Sequence, residues 1–291
     1  MEHNESNGSI VYVRKAGLRA FRARAGLKLY IKRLVQRWPF IVLDARTRAL
    51  QKNRDYRLGQ FWLIASPLLD SAMYALIFGY ILNTGKGVNS FLGYLVLGVS
   101  FFSFLTGFVN TGAGLIQSSK NMIQAFSFPI ASVVLGAGIR CAIDNIAPAV
   151  VGVIAALLFQ RNEPIHWTII FVVPSFLLIH IFGTGLMFFT SRLTAMVLDF
   201  RALLNVFNRL WFYGSGVFYS LDRFTLPPTL SLIMRNNPAY IFLQAIRDSV
   251  LYGNAPTLET WAILTLWSMG TFCLGFIWFW RGEGSYVNAF K

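Results

Sequence analysis

Charge is what this chain has least of. Only 13% of its 291 residues are Asp, Glu, Lys or Arg, while 55% are hydrophobic and the mean hydropathy is +0.54. A soluble domain carries about a quarter of its residues charged, so this composition excludes one and points to a chain that crosses a membrane repeatedly. Cysteine is nearly absent. Cys141 and Cys273 both fall in apolar runs, where a thiol packs as a small hydrophobe, so neither a disulfide nor a metal pair is expected. Histidine is as sparse: His3, His166 and His180 are scattered, which predicts no metal cluster and no catalytic centre, and leaves His180 as a packed, hydrogen-bonded residue within a span. A phosphate-binding loop is missing as well. The nearest run, Gly79 to Gly87, puts five residues between its glycines where the motif needs four, and has Gly87 where a Ser or Thr must reach the metal. The first apolar segment begins near Phe61, behind a long basic region, so no cleavable signal peptide is expected and the first span acts as an uncleaved anchor.

What the chain does have is long apolar runs, and these predict an all-α polytopic membrane protein. Six transmembrane helices are expected: Phe61–Leu82, broken by Pro67, then Phe91–Gln117, Ile130–Phe159, Ile165–Leu193, Leu203–Leu221 and Trp261–Trp280. Ahead of them, residues 1 to 60 hold 14 of the 26 Lys and Arg against 4 of the 12 acids. Basic flanks stay in the cytoplasm, so both termini are placed there, with 20 Lys and Arg inside and five outside, Arg247 among the five. No aromatic or glycine motif of a nucleic-acid module accompanies this charge. A membrane surface with anionic lipid explains it, and no nucleic acid is expected as a partner. Leu34, Trp38, Ile41, Ala45 and Ala49 recur at helical spacing opposite Arg37, Asp44 and Arg48, which predicts an interfacial amphipathic helix over 38–57 with Asp44 paired to Arg48. Residues 1–37 form a basic extension, 58–281 the transmembrane domain and 282–291 a cytoplasmic tail. Between spans five and six, residues 222–257 are too apolar for a solvated loop and read as short re-entrant helices in the outer leaflet, tolerated only where protein covers the backbone.

Three features stand out. Ser118–Pro129, SSKNMIQAFSFP, leaves the membrane for one or two helical turns that end at Pro129, and displays Asn121, Met122, Ile123, Phe126 and Phe128 to a cytoplasmic partner. Within the spans sit Asp70, Arg140 and Asp144. The last two lie four apart on one helix face and are expected to pair, a self-neutralised arrangement that fixes packing being weighed against a role in a transport path. Finally, WFYGSGVFY, Trp211 to Tyr219, combines five aromatics with Gly214, Ser215 and Gly216, residues that let a helix bend or backbones approach.

The run Arg54–Leu69, with Leu58, Gly59, Trp62, Pro67 and Leu68, resembles the opening of the ABC type-2 exporter permeases of the polysaccharide, O-antigen, teichoic-acid and galactan branch. Phe91–Pro129 is similar to that family's second span and coupling helix, and Asn237–Gly253 to its re-entrant segment. The chain departs from the family in its basic N-terminal extension and in Gln124 and Ala125, where basic residues are common. The resemblance implies a permease subunit in a bacterial cytoplasmic membrane, acting as a homodimer with two copies of a separate ATPase. That partner would bind ATP and magnesium, and this chain would need no cofactor of its own. The implied cargo is a lipid-linked polysaccharide, with Trp211, Phe212, Tyr213, Phe218 and Tyr219 as the candidate path, since flat rings suit the apolar faces of sugars. A permease for a small drug or lipid and an intramembrane enzyme acting on a glycan or lipid are the alternatives, the second weakened by the few acids within the spans.

Overall fold

The computed structural model describes residues 26–52, 59–81, 90–125, 129–160, 164–221 and 227–286. Among these there is no strand, as a bilayer demands of apolar segments that must satisfy their own backbone. In chain order come α1 (Leu27–Gln36), α2 (Trp38–Lys52), α3 (Gly59–Tyr74), which runs on as wider π-helical turns over Ala75–Ile81, and α4 (Phe91–Gly112). Two short helices, α5 (Leu115–Ser118) and α6 (Lys120–Ala125), lead to α7 (Ala131–Phe159). A 3-10 turn, Trp167–Phe171, opens α8 (Val172–Met196), followed by α9 (Phe200–Tyr213), α10 (Pro228–Arg235), α11 (Pro238–Val250), α12 (Leu258–Arg281) and α13 (Glu283–Tyr286).

Four of these segments are long and apolar enough to cross a bilayer: α4, α7, Trp167–Met196 and α12. One expected span comes out shorter. The first is helical over 59–81, close to its expected bounds, whereas α9 has 14 residues, about 21 Å at 1.5 Å per residue, against a hydrocarbon core of roughly 30 Å. The helix expected to reach Leu221 stops at Tyr213, because the Gly214–Ser215–Gly216 run cannot hold it and tertiary partners accept the chain in another conformation.

The core has two parts. At one end α4 is the hub, with Tyr94, Leu97, Phe101, Phe102 and Leu105 buried against α8, α11 and the segment after α9. Toward the other end a second cluster joins Tyr30, Leu34 and Ile41 to Ile123, Ala131, Phe188, Phe279 and Tyr286. Small residues allow α8 and α12 to touch: a Cβ on Gly275 would come within 2.5 Å of the Gly185 carbonyl.

The N-terminal helices follow their sequence pattern, with one addition. Leu34, Ile41, Ala45 and Ala49 are buried as the stripe predicts, whereas Trp38 stays 48% exposed. The expected Asp44–Arg48 pair is present at 2.9 Å. The addition is α1, inside the segment read as an extension. Its Tyr30 and Leu34, one turn apart, turn into the core while Lys28, Lys32 and Arg33 face out. Residues 53–57, the end of the expected amphipathic helix, lie outside the described residues, as do 1–25 and the tail from 287.

Candidate functional site

The irregular segment after α9 is where the fold spends its most buried charge. Four carbonyls just beyond Tyr213 lose helical partners, and a buried segment cannot leave them to water. Arg247, on α11, is fully buried and answers this: its Nη1 donates to the Gly216 carbonyl at 3.0 Å, its Nη2 to Val217 at 2.7 Å and its Nε to Tyr94 at 3.3 Å. The guanidinium carbon also lies 3.4 Å over the centre of the Tyr94 ring. Tyr94 contributes from below, its hydroxyl shared between the Tyr219 carbonyl at 2.8 Å and the Gly216 carbonyl at 3.2 Å. Asn237 completes the set. Its Oδ1 accepts from Ala239 N–H, capping α11, and from Trp211 Nε1–H at 2.9 Å, while its Nδ2 donates to the Gly214 carbonyl at 3.1 Å and to Ser215 Oγ at 2.9 Å.

Two glycines make this possible. Gly216 has φ +59°, the left-handed region where a side chain is strained, and Gly98 on α4 leaves the space the guanidinium fills, since a Cβ there would stand 2.2 Å from Arg247 Nη2. The sequence counts Arg247 among five charges facing outward. Arg247 instead belongs to no surface loop, because the broken helix supplies acceptors that a carboxylate or water would otherwise provide.

The five aromatics of the candidate path separate into two kinds. Trp211 is tied to Asn237 and packs edge-on against Phe102, Phe212 meets Phe102 and Tyr74, and Phe218 is buried and stacked on Phe78 at 4.0 Å. Tyr213 is 55% exposed, and Tyr219, half-buried, donates its hydroxyl to the Tyr213 carbonyl at 2.6 Å. Next to them runs a polar stripe that the sequence reading missed. On α4, otherwise the most enclosed span, Ser103 and Asn110 are exposed, Thr106 is half-buried, and Gly107 has open space beside it. Asn110 Oδ1 accepts from Asn208 Nδ2 of α9 at 2.8 Å. The signal was available, as positions 103, 106, 107 and 110 fall on one helical face. Asp70 is likewise exposed, one turn before Tyr74 on α3. Polar groups at an open face of a membrane bundle require water or a partner subunit opposite them.

At the other end, α5 leads into the stretch expected to couple, 118–129, of which α6 is the described helix, and the chain around α5 is anchored. Thr194 Oγ1 accepts from Gly114 N–H, the Thr194 carbonyl from Gln117 Nε2, and Arg201 Nη2 donates to the Ala113 carbonyl. Asn121 is exposed, Met122 is half-buried and accepts from Arg48 Nη2 at 3.4 Å, and Ile123 is buried within the second core cluster, so its side chain faces the bundle. Phe126 and Phe128 lie outside the described residues. Pro129 is buried, and just after it two remote groups cap α7, which has no side-chain cap of its own: Glu283 Oε1 accepts from Ile130 N–H at 2.8 Å and Tyr30 Oη from Ala131 N–H at 3.0 Å. Burial and the Glu283 carboxylate push the Tyr30 phenol well above its ordinary range, which keeps it a neutral donor and acceptor.

Arg140 and Asp144 do not close into the ion pair their spacing suggests; among the described residues the ion pair on this side is Asp44–Arg48. Helical side chains lean toward the N-terminus, which carries Arg140 to the α5–α6 end, away from Asp144 one turn further along. There it lines a cavity with Asp44 and Arg48. His180 is the packed residue expected: Nδ1–H donates to the Phe176 carbonyl at 2.6 Å, which leaves Nε2 to accept from Asn145 Nδ2 at 3.1 Å.

A comparison with protein families gives one match: the family described as ABC-2 type transporter matches residues 42–251. No curated protein matches the chain. The matched stretch runs from α2 to the end of α11 and takes in both α5 and α6 and the shortened α9 with the buried arginine that braces its end. Since it covers well over half of the sequence, this chain belongs to the ABC-2 type transporter family and is a multi-pass membrane permease subunit, of a kind that works with a separate ATPase.

Proposed function

We propose that this permease exports a lipid-linked polysaccharide across a bacterial cytoplasmic membrane, as a homodimer driven by two copies of a separate ATPase, with both termini in the cytoplasm. The observation that carries the reading is the open face formed by Ser103, Thr106, Gly107 and Asn110 on α4 together with Tyr213 at the end of α9 and Tyr219 beyond it. A second copy set against this face would enclose a channel with hydroxyls and amides along its length and aromatic rings at its outer end. Such a lining suits a chain of sugars, whose hydroxyls exchange hydrogen bonds while ring faces slide over aromatic ones. The exposed Leu203, Val206, Phe207 and Leu210 of α9 supply the apolar flank that the dimer or the lipid tail of the cargo would cover.

Power would enter through α5 and α6. The bond of Gln117 in α5 to Thr194, that of Arg201 to Ala113 just before α5, and the capping of α7 by Tyr30 and Glu283 would connect a push on this stretch to α7, α8, α9, α1 and α13. The test is reconstitution of the chain with its ATPase in proteoliposomes. Lipid-linked glycan should stimulate ATP hydrolysis, and Tyr213→Leu with Tyr219→Leu should abolish that stimulation while basal hydrolysis persists. Stimulation by small amphiphiles and none by glycan would instead identify a permease for a small drug or lipid.

A further inference from the structure

We propose that the cavity between α2, the coupling stretch and α7 binds the phosphate of a lipid headgroup, held by Arg140 with Arg48 beside it. The cavity measures about 50 Å³, room for more than a single water, and its wall includes Phe40, Asp44, Arg48, Ser119, Met122 and Arg140. Its charge is unbalanced. Asp44 holds Arg48 at 2.9 Å and neutralises it, while Arg140, the tenth residue of α7, makes no ion pair or hydrogen bond among the described residues, and its Nε is enclosed without an acceptor. An enclosed guanidinium donor left unmet is costly, and a planar fork of donors pairs two bonds at a time with an oxyanion such as a phosphate.

The position selects the source of that oxyanion. The lean of a helical side chain brings Arg140 toward the α5–α6 end, where the neighbouring α2 carries the exposed rings of Trp38 (48%) and Phe40 (52%), the pattern of a helix lying at the level of headgroups. A lipid phosphate fits this depth, either that of an anionic phospholipid or that of a polyprenyl phosphate carrying cargo. Because Arg48 also donates to Met122, occupancy would brace α2 and the coupling stretch against α7. The site does not depend on the glycan reading, since a permease for a small amphiphile would retain it.

The test uses the full-length chain in phosphate-free dodecyl maltoside micelles and native mass spectrometry, with phosphatidylglycerol, a polyprenyl phosphate and inorganic phosphate as separate probes. One lipid phosphate per chain should be retained. Arg140→Gln should lower retention at least tenfold with the size-exclusion profile unchanged, and Arg140→Lys should restore a part. Asp44→Asn should act in the opposite direction, raising retention several-fold by releasing Arg48. Preference between the two lipids identifies the source. Retention unchanged by Arg140→Gln overturns the proposal, as does a loss in Asp44→Asn equal to that in Arg140→Gln; inorganic phosphate binding as well as the lipids removes the headgroup from it.

Discussion

Arg247 and Arg140 are the same side chain placed at opposite ends of one helix bundle, and they meet opposite fates. Arg247 is wholly enclosed, yet its donors are met by three carbonyls and its face by a tyrosine ring. Arg140 is partly exposed, yet its Nε has no acceptor and its neighbours line a cavity. Burial alone therefore says little about what a membrane arginine does. The decisive quantity is whether the surrounding backbone supplies acceptors: beside Arg247 the broken helix offers Gly216 and Val217 and the first turn of α4 offers Tyr94, and the arginine becomes a staple; beside Arg140 no described carbonyl meets the guanidinium, and the arginine keeps donors for something else.

The comparison breaks most visibly at Arg247. Arg247→Leu leaves the Val217 and Gly216 carbonyls and the Tyr94 face without their cation, and should cost on the order of 3 kcal/mol, read as a lower thermal midpoint of the detergent-solubilised protein. Arg247→Lys should recover only part of it, because an ammonium cannot span three carbonyls in a plane. Filling the space from the other side is the next largest effect. Gly98→Ala places a methyl against Arg247 Nη2 and the Val217 carbonyl and should cost about 1 to 3 kcal/mol, whereas Gly107→Ala, on the open part of the same helix, should cost nothing measurable. A stability scan in which both alanines behave alike would show that the guanidinium is not wedged there.

At the coupling end the effects are smaller. Glu283→Gln keeps an acceptor for Ile130 N–H but loses its charge, and Tyr30→Phe removes the acceptor of Ala131 N–H; Tyr30→Phe should cost about 0.5 to 2 kcal/mol, the range for a lost helix cap, and Glu283→Gln less. Hydrogen exchange of the first turn of α7 is the sharper readout, and faster exchange confined to it is the expected result. Smallest of all for stability is Tyr213→Leu. Its ring is exposed, so unfolding should be unchanged, and any loss should appear in transport alone.

How much of this was legible beforehand follows from where each signal resides. The amphipathic stripe and the Asp44–Arg48 pair could be read because both partners lie within one helix, and helical spacing is a local property. The short helical break between apolar runs is legible from Lys120 and Pro129 punctuating them, but not the inward turn of Ile123, which depends on a core made with α1 and α12. Local spacing also misled. Arg140 and Asp144 sit four apart as a pair would, but with the base first, the less favourable order on a helix, and Arg140 lines the cavity beside α2 without an ion pair. Arg247 gave no local sign at all, since its acceptors stand 30, 31 and 153 residues away along the chain.

By itself, then, the sequence determined the class and the punctuation: a chain with so little charge and such long apolar runs must live in a membrane as helices, because there a backbone has to satisfy itself segment by segment. Tertiary structure decided the exceptions. Where α9 stops short, a segment of the chain cannot satisfy itself, and only a donor brought from α11 and a hydroxyl from α4 let it exist inside the bundle. Such a donor is specified by the packing of remote helices, and no local pattern can announce it.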